Sequence, residues 1–133
     1  MRKKSLLDAN TIVRFFTGNP LEQAKKVRHL FTSSPPESLF IADTVILEVI
    51  YVLSSFYRFQ KTDIIQKFSE LLEDEVFVYN KKLIKSTWEF FKNNSISFVD
   101  AYLCALTETE EPTTLYSFDK RLQKILPQKV KEP

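Results

Sequence analysis

The chain has 133 residues, the size of one domain and enough for a sizeable core. A hydrophobic fraction of 44%, with 12 Phe and 5 Tyr, describes a globular protein with an aromatic core, and a single glycine, Gly18, excludes Gly-rich phosphate loops and collagen-like segments. The net charge of +2, from 19 basic and 17 acidic residues, neither requires nor opposes a nucleic-acid partner; one cysteine, Cys104, and one histidine, His29, exclude an intrachain disulfide and a Cys-rich zinc site and tell against a Ser-His-Asp triad.

Met1-Arg2-Lys3-Lys4 is followed by only three uncharged residues before Asp8, too few for the apolar segment of a secretory signal. Residues 4–7 read as a short buried strand ending at Asp8. Asn10–Phe16 reads as a short helix stopped near Gly18-Asn19-Pro20. From Leu21 to Thr32, Leu21, Ala24, Val27, Leu30 and Phe31 recur at helical spacing and are expected to face inward. Ser33-Ser34-Pro35-Pro36 is a loop, and Leu39–Ala42 is a second strand.

Asp43 or Thr44 can cap the next helix, which runs to about Phe56. Its run from Val45 to Leu53 is too short to span a bilayer and contains Glu48. The expectation is a cytoplasmic protein with no membrane segment. Thr62 or Asp63 can cap a helix to about Glu73 that presents Ile64, Ile65, Phe68, Leu71 and Leu72 as one stripe. Glu75–Tyr79 is a third strand. Residues 81–93 form an amphipathic helix with Leu83, Ile84, Thr87, Trp88 and Phe91 inward, and Trp88 reads as core, not as a base-stacking platform. Ser97–Asp100 leads into an apolar helix that carries Cys104, a buried, inert thiol, and that Glu110-Glu111-Pro112 ends. Thr114–Ser117 is a fourth strand, and Asp119 opens a last helix through about Leu126. Residues 127–133 read as a polar, frayed tail, with a final edge strand either missing or formed near Val130.

Short apolar strands alternating with helices predict an α/β fold: a three-layer α/β/α sandwich around a central parallel sheet of four to five strands, in one domain over residues 1–133. In such a sheet, functional groups collect beyond the carboxyl ends of the strands. Asp8 and Asp119 follow predicted strands, and Asp100 follows a short lead-in to a helix. Glu48 lies about one turn into its helix, and helical side chains tilt back toward the N-terminus. The helix around Glu48 is apolar on all sides, so Glu48 is expected to be a buried carboxylate in need of a partner. Asp8, Asp100 and Asp119 can each be explained singly as helix N-caps; Glu48 cannot. Four gathered acids repel one another, and a hard divalent cation such as Mg²⁺ or Mn²⁺ relieves that repulsion. Such sites suit phosphodiester hydrolysis.

These elements resemble the PIN-domain nucleases. Leu6-Leu7-Asp8-Ala9-Asn10 is similar to their opening strand and acid, and Thr44-x-x-x-Glu48 to their hydroxyl-plus-glutamate helix. Asp100-Ala101-x-x-x-Ala105 matches the third acid at the start of a small-residue helix, and Ser117-Phe118-Asp119 the terminal hydroxyl-x-Asp element. The resemblance implies an endoribonuclease dependent on Mg²⁺ or Mn²⁺, in which Asp8, Glu48, Asp100 and Asp119 hold metal and are catalytic. It implies that Asn10, Thr44 and Ser117 orient carboxylates, water or phosphate. Arg14, Lys120 and Arg121 are candidates for RNA backbone contact. Compact members are mostly toxins of VapBC-type toxin–antitoxin pairs, which implies a cognate antitoxin partner and a homodimer. Phe15, Phe16, Tyr57 and Phe59 are candidates either for a partner surface or for ordinary core.

Three rivals stand beside this reading. A non-catalytic PIN-like RNA-binding scaffold would be expected to have lost acids, and all four are present. A phosphoaspartate enzyme of the haloacid-dehalogenase type needs Asp-x-Asp after the first strand, where this chain has Asp8-Ala9-Asn10, and a receiver needs an Asp ending its third, where this chain has Tyr79-Asn80. A PIN nuclease of RNA processing differs from a toxin by its genetic neighbour rather than by its sequence.

Overall fold

A computed structural model describes residues 4–111 and 113–133. Met1–Lys3, cited above for the leader, and Pro112, cited as a helix stop, lie outside the described residues. The chain divides into two compact units, residues 1–80 and 81–133.

The first unit alternates strand and helix: β1 (Ser5–Leu6), α1 (Ala9–Thr17), α2 (Leu21–Ser33), β2 (Leu39–Phe40), α3 (Asp43–Ser55), α4 (Lys61–Glu73) and β3 (Phe77–Val78). The three strands form one parallel ladder in the order β1-β2-β3, with Ser5 beside Leu39 and Leu39 beside Phe77. A helical crossover is what lets consecutive strands run parallel. Ser5 and Leu6 of β1 are exposed; the buried strand expected from apolar composition narrows to Leu7.

Gly18 ends α1 in the left-handed region, at φ 67°, and its amide donates to the Arg14 carbonyl at 2.9 Å. The single glycine of the chain thus stands where a side chain is least tolerated. Space around it is open, so Gly18→Ala is expected to destabilise through backbone strain alone, by about 1 kcal/mol, read as a lowered urea midpoint at unchanged slope.

In α2 only Ala24 and Phe31 are buried, and Leu21 and Leu30 are exposed, contrary to the inward stripe expected. A correction applies to α3. Its buried face is Ile46, Val49, Ile50 and Leu53, at spacings of three and four, while Thr44, Glu48 and Tyr51 lie on an exposed face. Glu48 is therefore not a buried carboxylate: the helix is apolar throughout but lays only one side on the core. Ala42 and Gln60 occupy the cap positions of α3 and α4 with no side-chain cap, so Asp43 or Thr44 and Thr62 or Asp63 are not caps; Asp43 sits in the first turn. Phe15, Phe16, Phe31, Phe68 and Phe77 pack as a chain of rings with centroids 4.9–5.6 Å apart, which makes Phe15 and Phe16 half-buried core.

The second unit contains α5 (Lys81–Asn93), α6 (Phe98–Thr109), β4 (Leu115–Tyr116), α7 (Lys120–Ile125) and β5 (Val130–Lys131). The five residues expected inward on α5 are its five buried ones, and Trp88 packs edge-on against Phe98 at 5.1 Å. β4 and β5 pair in parallel, Leu115 beside Val130. The expected frayed tail is corrected here: its Val130 is 4% exposed and its backbone completes a ladder. Among the described residues no helix is long and apolar enough to cross a membrane.

Candidate active site

Asp8 follows β1 and caps α1. The amide and hydroxyl of Thr11 both donate to its Oδ1, at 2.9 and 2.8 Å. The amide bond, then the hydroxyl bond and the nearby charge of Arg14, hold the Asp8 carboxyl below its ordinary range, against a desolvation that opposes them. Its Oδ2 has no hydrogen bond among the described residues.

Asn10 and Arg14 share with Asp8 a cleft of about 330 Å³ in the first unit, which Gln23 and Lys26 of α2 also line. The Nε of Arg14 donates to Oε1 of Gln23. Sequence reading missed Gln23 and Lys26. Helical periodicity marks them only as outward positions, and nothing in it announces a contact across the α1–α2 turn.

Thr44 and Glu48 stand one turn apart on the exposed face of α3. Among the described residues Glu48 has no ion pair or hydrogen bond.

In the second unit, Ser97 caps α6 by accepting from the Asp100 amide at 3.0 Å. Asp100 is thus in the first turn and is not itself the cap, which removes the structural explanation open to it from sequence. Asp119 does cap α7, accepting from the Arg121 amide at 2.8 Å. The Asp119 amide donates in turn to Ser117 Oγ at 3.0 Å, so Ser117 fixes the backbone that presents Asp119.

Arg121 closes this corner. Its Nε and Nη2 donate to the two carboxylate oxygens of Asp119 at 3.2 and 2.7 Å, and its Nη1 donates to the Ser95 carbonyl at 3.1 Å. Nη2 also lies 3.8 Å from Oδ2 of Asp100. One guanidinium therefore serves two half-buried carboxylates. The side-chain hydrogen bond from Arg121, with its amide and its charge, holds the Asp119 carboxyl down at about 2. A depressed carboxyl stabilises the folded state above its ordinary pKa of 3.8, and that contribution is lost as pH falls from there toward about 2. Lys120 is also paired, donating to Glu132 at 2.7 Å. Lys120 and Arg121 are thus both compensated within the protein. Cys104 is buried, and burial first, then the charges of Asp100 and Glu108, push its thiol up to about 11, too high for a nucleophile at neutral pH.

The acids offer hard oxygen donors, the chemistry that Mg²⁺ and Mn²⁺ prefer. Among the described residues, neither unit contains a group of three or more His, Cys, Asp or Glu side chains placed to hold a metal ion. In the second unit Asp100 and Asp119 already share one cation, the Arg121 guanidinium. Carboxylate oxygens match a hard cation in chemistry; the positive charge beside Asp100 and Asp119 in this structure is that of Arg121.

The PIN-domain family model matches residues 5–126, a span that runs through both units. A curated relative, the VapC ribonuclease of Aquifex aeolicus (strain VF5), is 26% identical over 123 residues, covering 90% of this chain and 90% of that protein.

Proposed function

The chain belongs to the PIN-domain family, and from that premise we propose that it is a metal-dependent endoribonuclease hydrolysing RNA phosphodiester bonds, the toxin of a type II toxin–antitoxin pair. The observation that carries the reading is the corner around Arg121, where two carboxylates from different elements meet at one cation. The name of the Aquifex relative supports RNA as the substrate class.

In this reading Asp8, Glu48, Asp100 and Asp119 would hold Mg²⁺ or Mn²⁺, within one domain over residues 1–133. When bound, the metal supplies a lowered pKa for water and neutralises charge on the phosphate. Asp8 contributes a carboxylate whose position is set by its cap on α1. Ser117 holds the backbone of Asp119, and Thr44 and Asn10 present polar groups beside Glu48 and Asp8 for water or phosphate. All four acids are at least partly exposed, so a phosphodiester and its metal can reach them. The exposed Tyr51 and Phe56 of the α3 end, at 66% and 77%, are apolar surface that a protein partner would cover. In this reading that partner is a cognate antitoxin or a second copy of the chain, and the protein acts in the cytoplasm.

The test is incubation of total RNA with protein freed of any bound partner, in Mg²⁺, Mn²⁺ or EDTA. Discrete products in metal, absent in EDTA, are the expected outcome. RNA left intact by folded protein in every metal would leave the non-catalytic RNA-binding scaffold. A nuclease of RNA processing is separated from a toxin by expression in cells: growth arrest relieved by the product of a small adjacent gene belongs to the toxin alone.

A further inference from the structure

Two cations in the first unit lack the compensation that Lys120 and Arg121 enjoy. Arg14, on α1, and Lys26, on α2, line the cleft beside Asp8, and among the described residues neither makes a salt bridge. Arg14 is held by a neutral group, the Gln23 amide oxygen, through Nε. That bond fixes the plane of the guanidinium with a neutral partner, and its charge acts on Asp8 without an ion pair. Its two terminal nitrogens have no hydrogen-bond partner among the described residues. A planar fork with free terminal donors matches two oxygens of a phosphate better than it matches water or a point charge.

The size of the cleft narrows the ligand. At about 330 Å³ it lies near the lower end of the ~300–1,000 Å³ of small-ligand sites. That is room for a phosphodiester with its sugar. Asp8 lines the same cleft, so a phosphate held by Arg14 and Lys26 lies beside that carboxylate. We propose that the α1–α2 cleft seats an RNA backbone phosphate next to the scissile one, with Arg14 and Lys26 contacting it and Gln23 positioning Arg14. This rests on the nuclease reading for its choice of RNA. It extends that reading from the acids to the strand they act on.

The experiment measures binding without cleavage. A short, mixed-sequence, fluorescein-labelled single-stranded RNA is titrated with the full chain in EDTA, by anisotropy, over a series of NaCl concentrations. Arg14→Gln and Lys26→Gln are each expected to weaken binding several-fold and to reduce the salt slope by roughly one. Gln23→Leu keeps both charges, so it is expected to weaken binding with the slope unchanged, a signature that mere unfolding does not give. Lys25→Gln, on the same helix outside the cleft, is expected to behave as wild type. Thermal melting of each variant identifies any that fails to fold; Lys26 is exposed, so its variant keeps the test decisive.

Wild-type affinity and slope in Arg14→Gln and Lys26→Gln would overturn the proposal, as would an RNA that does not bind the wild-type chain. Loss of labelled poly-glutamate binding but not of RNA binding in these variants would overturn it as well, giving the cleft to an acidic protein segment. The two readings fail separately. RNA bound through Arg14 yet uncut in Mn²⁺ retires the nuclease and keeps the phosphate seat; RNA cut at the wild-type rate by variants with unchanged slopes does the reverse.

Discussion

Asp8→Asn is expected to remove RNA cleavage by a factor on the order of 10²–10³ or more, the scale of losing one electrostatic stabiliser of a transition state, while the protein stays as stable as wild type. The choice of Asn follows from the double duty of Asp8. Its Oδ1 accepts from the amide and hydroxyl of Thr11 and so starts α1. Asn keeps an oxygen at that position and caps helices as well as Asp does. It loses only the negative charge and the second carboxylate oxygen, which are what a cation would use. Asp8→Ala, by contrast, also strips the cap and costs about 1 kcal/mol, so a loss of activity there mixes chemistry with folding. Single-turnover cleavage in Mn²⁺, run beside thermal melts of wild type, Asp8→Asn and Asp8→Ala, checks both halves. An Asn variant that cut RNA at the wild-type rate would remove Asp8 from the site. Asp100 permits the simpler Ala substitution, because Ser97 and not Asp100 caps α6.

The fold class was legible because its signals are local. Asp8 and Asp119 marked strand ends and helix starts and Gly18 a helix end, the α/β arrangement with parallel strands followed from their alternation, and its PIN type from the resemblance of the four acidic motifs. The five inward residues of α5 could be read because that helix has one wet face and one dry face, so composition and burial coincide. In α3 they do not coincide. Leu47, Val45 and Tyr51 are apolar without being buried, so Glu48 looked enclosed when it is exposed. In β1, apolar Leu6 misled in the same way, being 76% exposed. Composition reports what a face could bury, and only packing decides what it does bury. The acids could be named because strand-end positions are fixed by the chain. What they touch could not: the reach of Arg121 to Ser95 and Asp100 spans 26 and 21 residues of sequence, and the Arg14–Gln23 bond crosses a turn. Pairings of that kind have no periodicity to betray them.

Arg121→Met is expected to tighten Mn²⁺ binding by about tenfold, the scale of removing one positive charge a few ångströms from a divalent cation in a water-exposed site. Two effects oppose each other. The guanidinium holds Asp119 through both carboxylate oxygens and approaches Asp100, so its loss could let the pair wander. Its positive charge also sits where a divalent cation is expected, so its loss removes a competitor. The second effect should win because the placement of Asp119 does not depend on the guanidinium. The cap on α7 is made by the backbone amide of residue 121, which any substitution but proline retains, and Ser117 holds the Asp119 amide from the other side. Freed of the ion pair, the Asp119 carboxyl should titrate above its present value of about 2, toward 3.8. It remains ionised at neutral pH, so the gain in metal affinity carries no protonation penalty there. Calorimetric titration with Mn²⁺ reads the affinity, and carboxyl ¹³C shifts against pH read the titration. A raised Asp119 midpoint with weaker Mn²⁺ binding would mean that Arg121 holds the two carboxylates apart for the metal instead of occupying its place, and cleavage at limiting Mn²⁺ would then fall in the variant instead of rising.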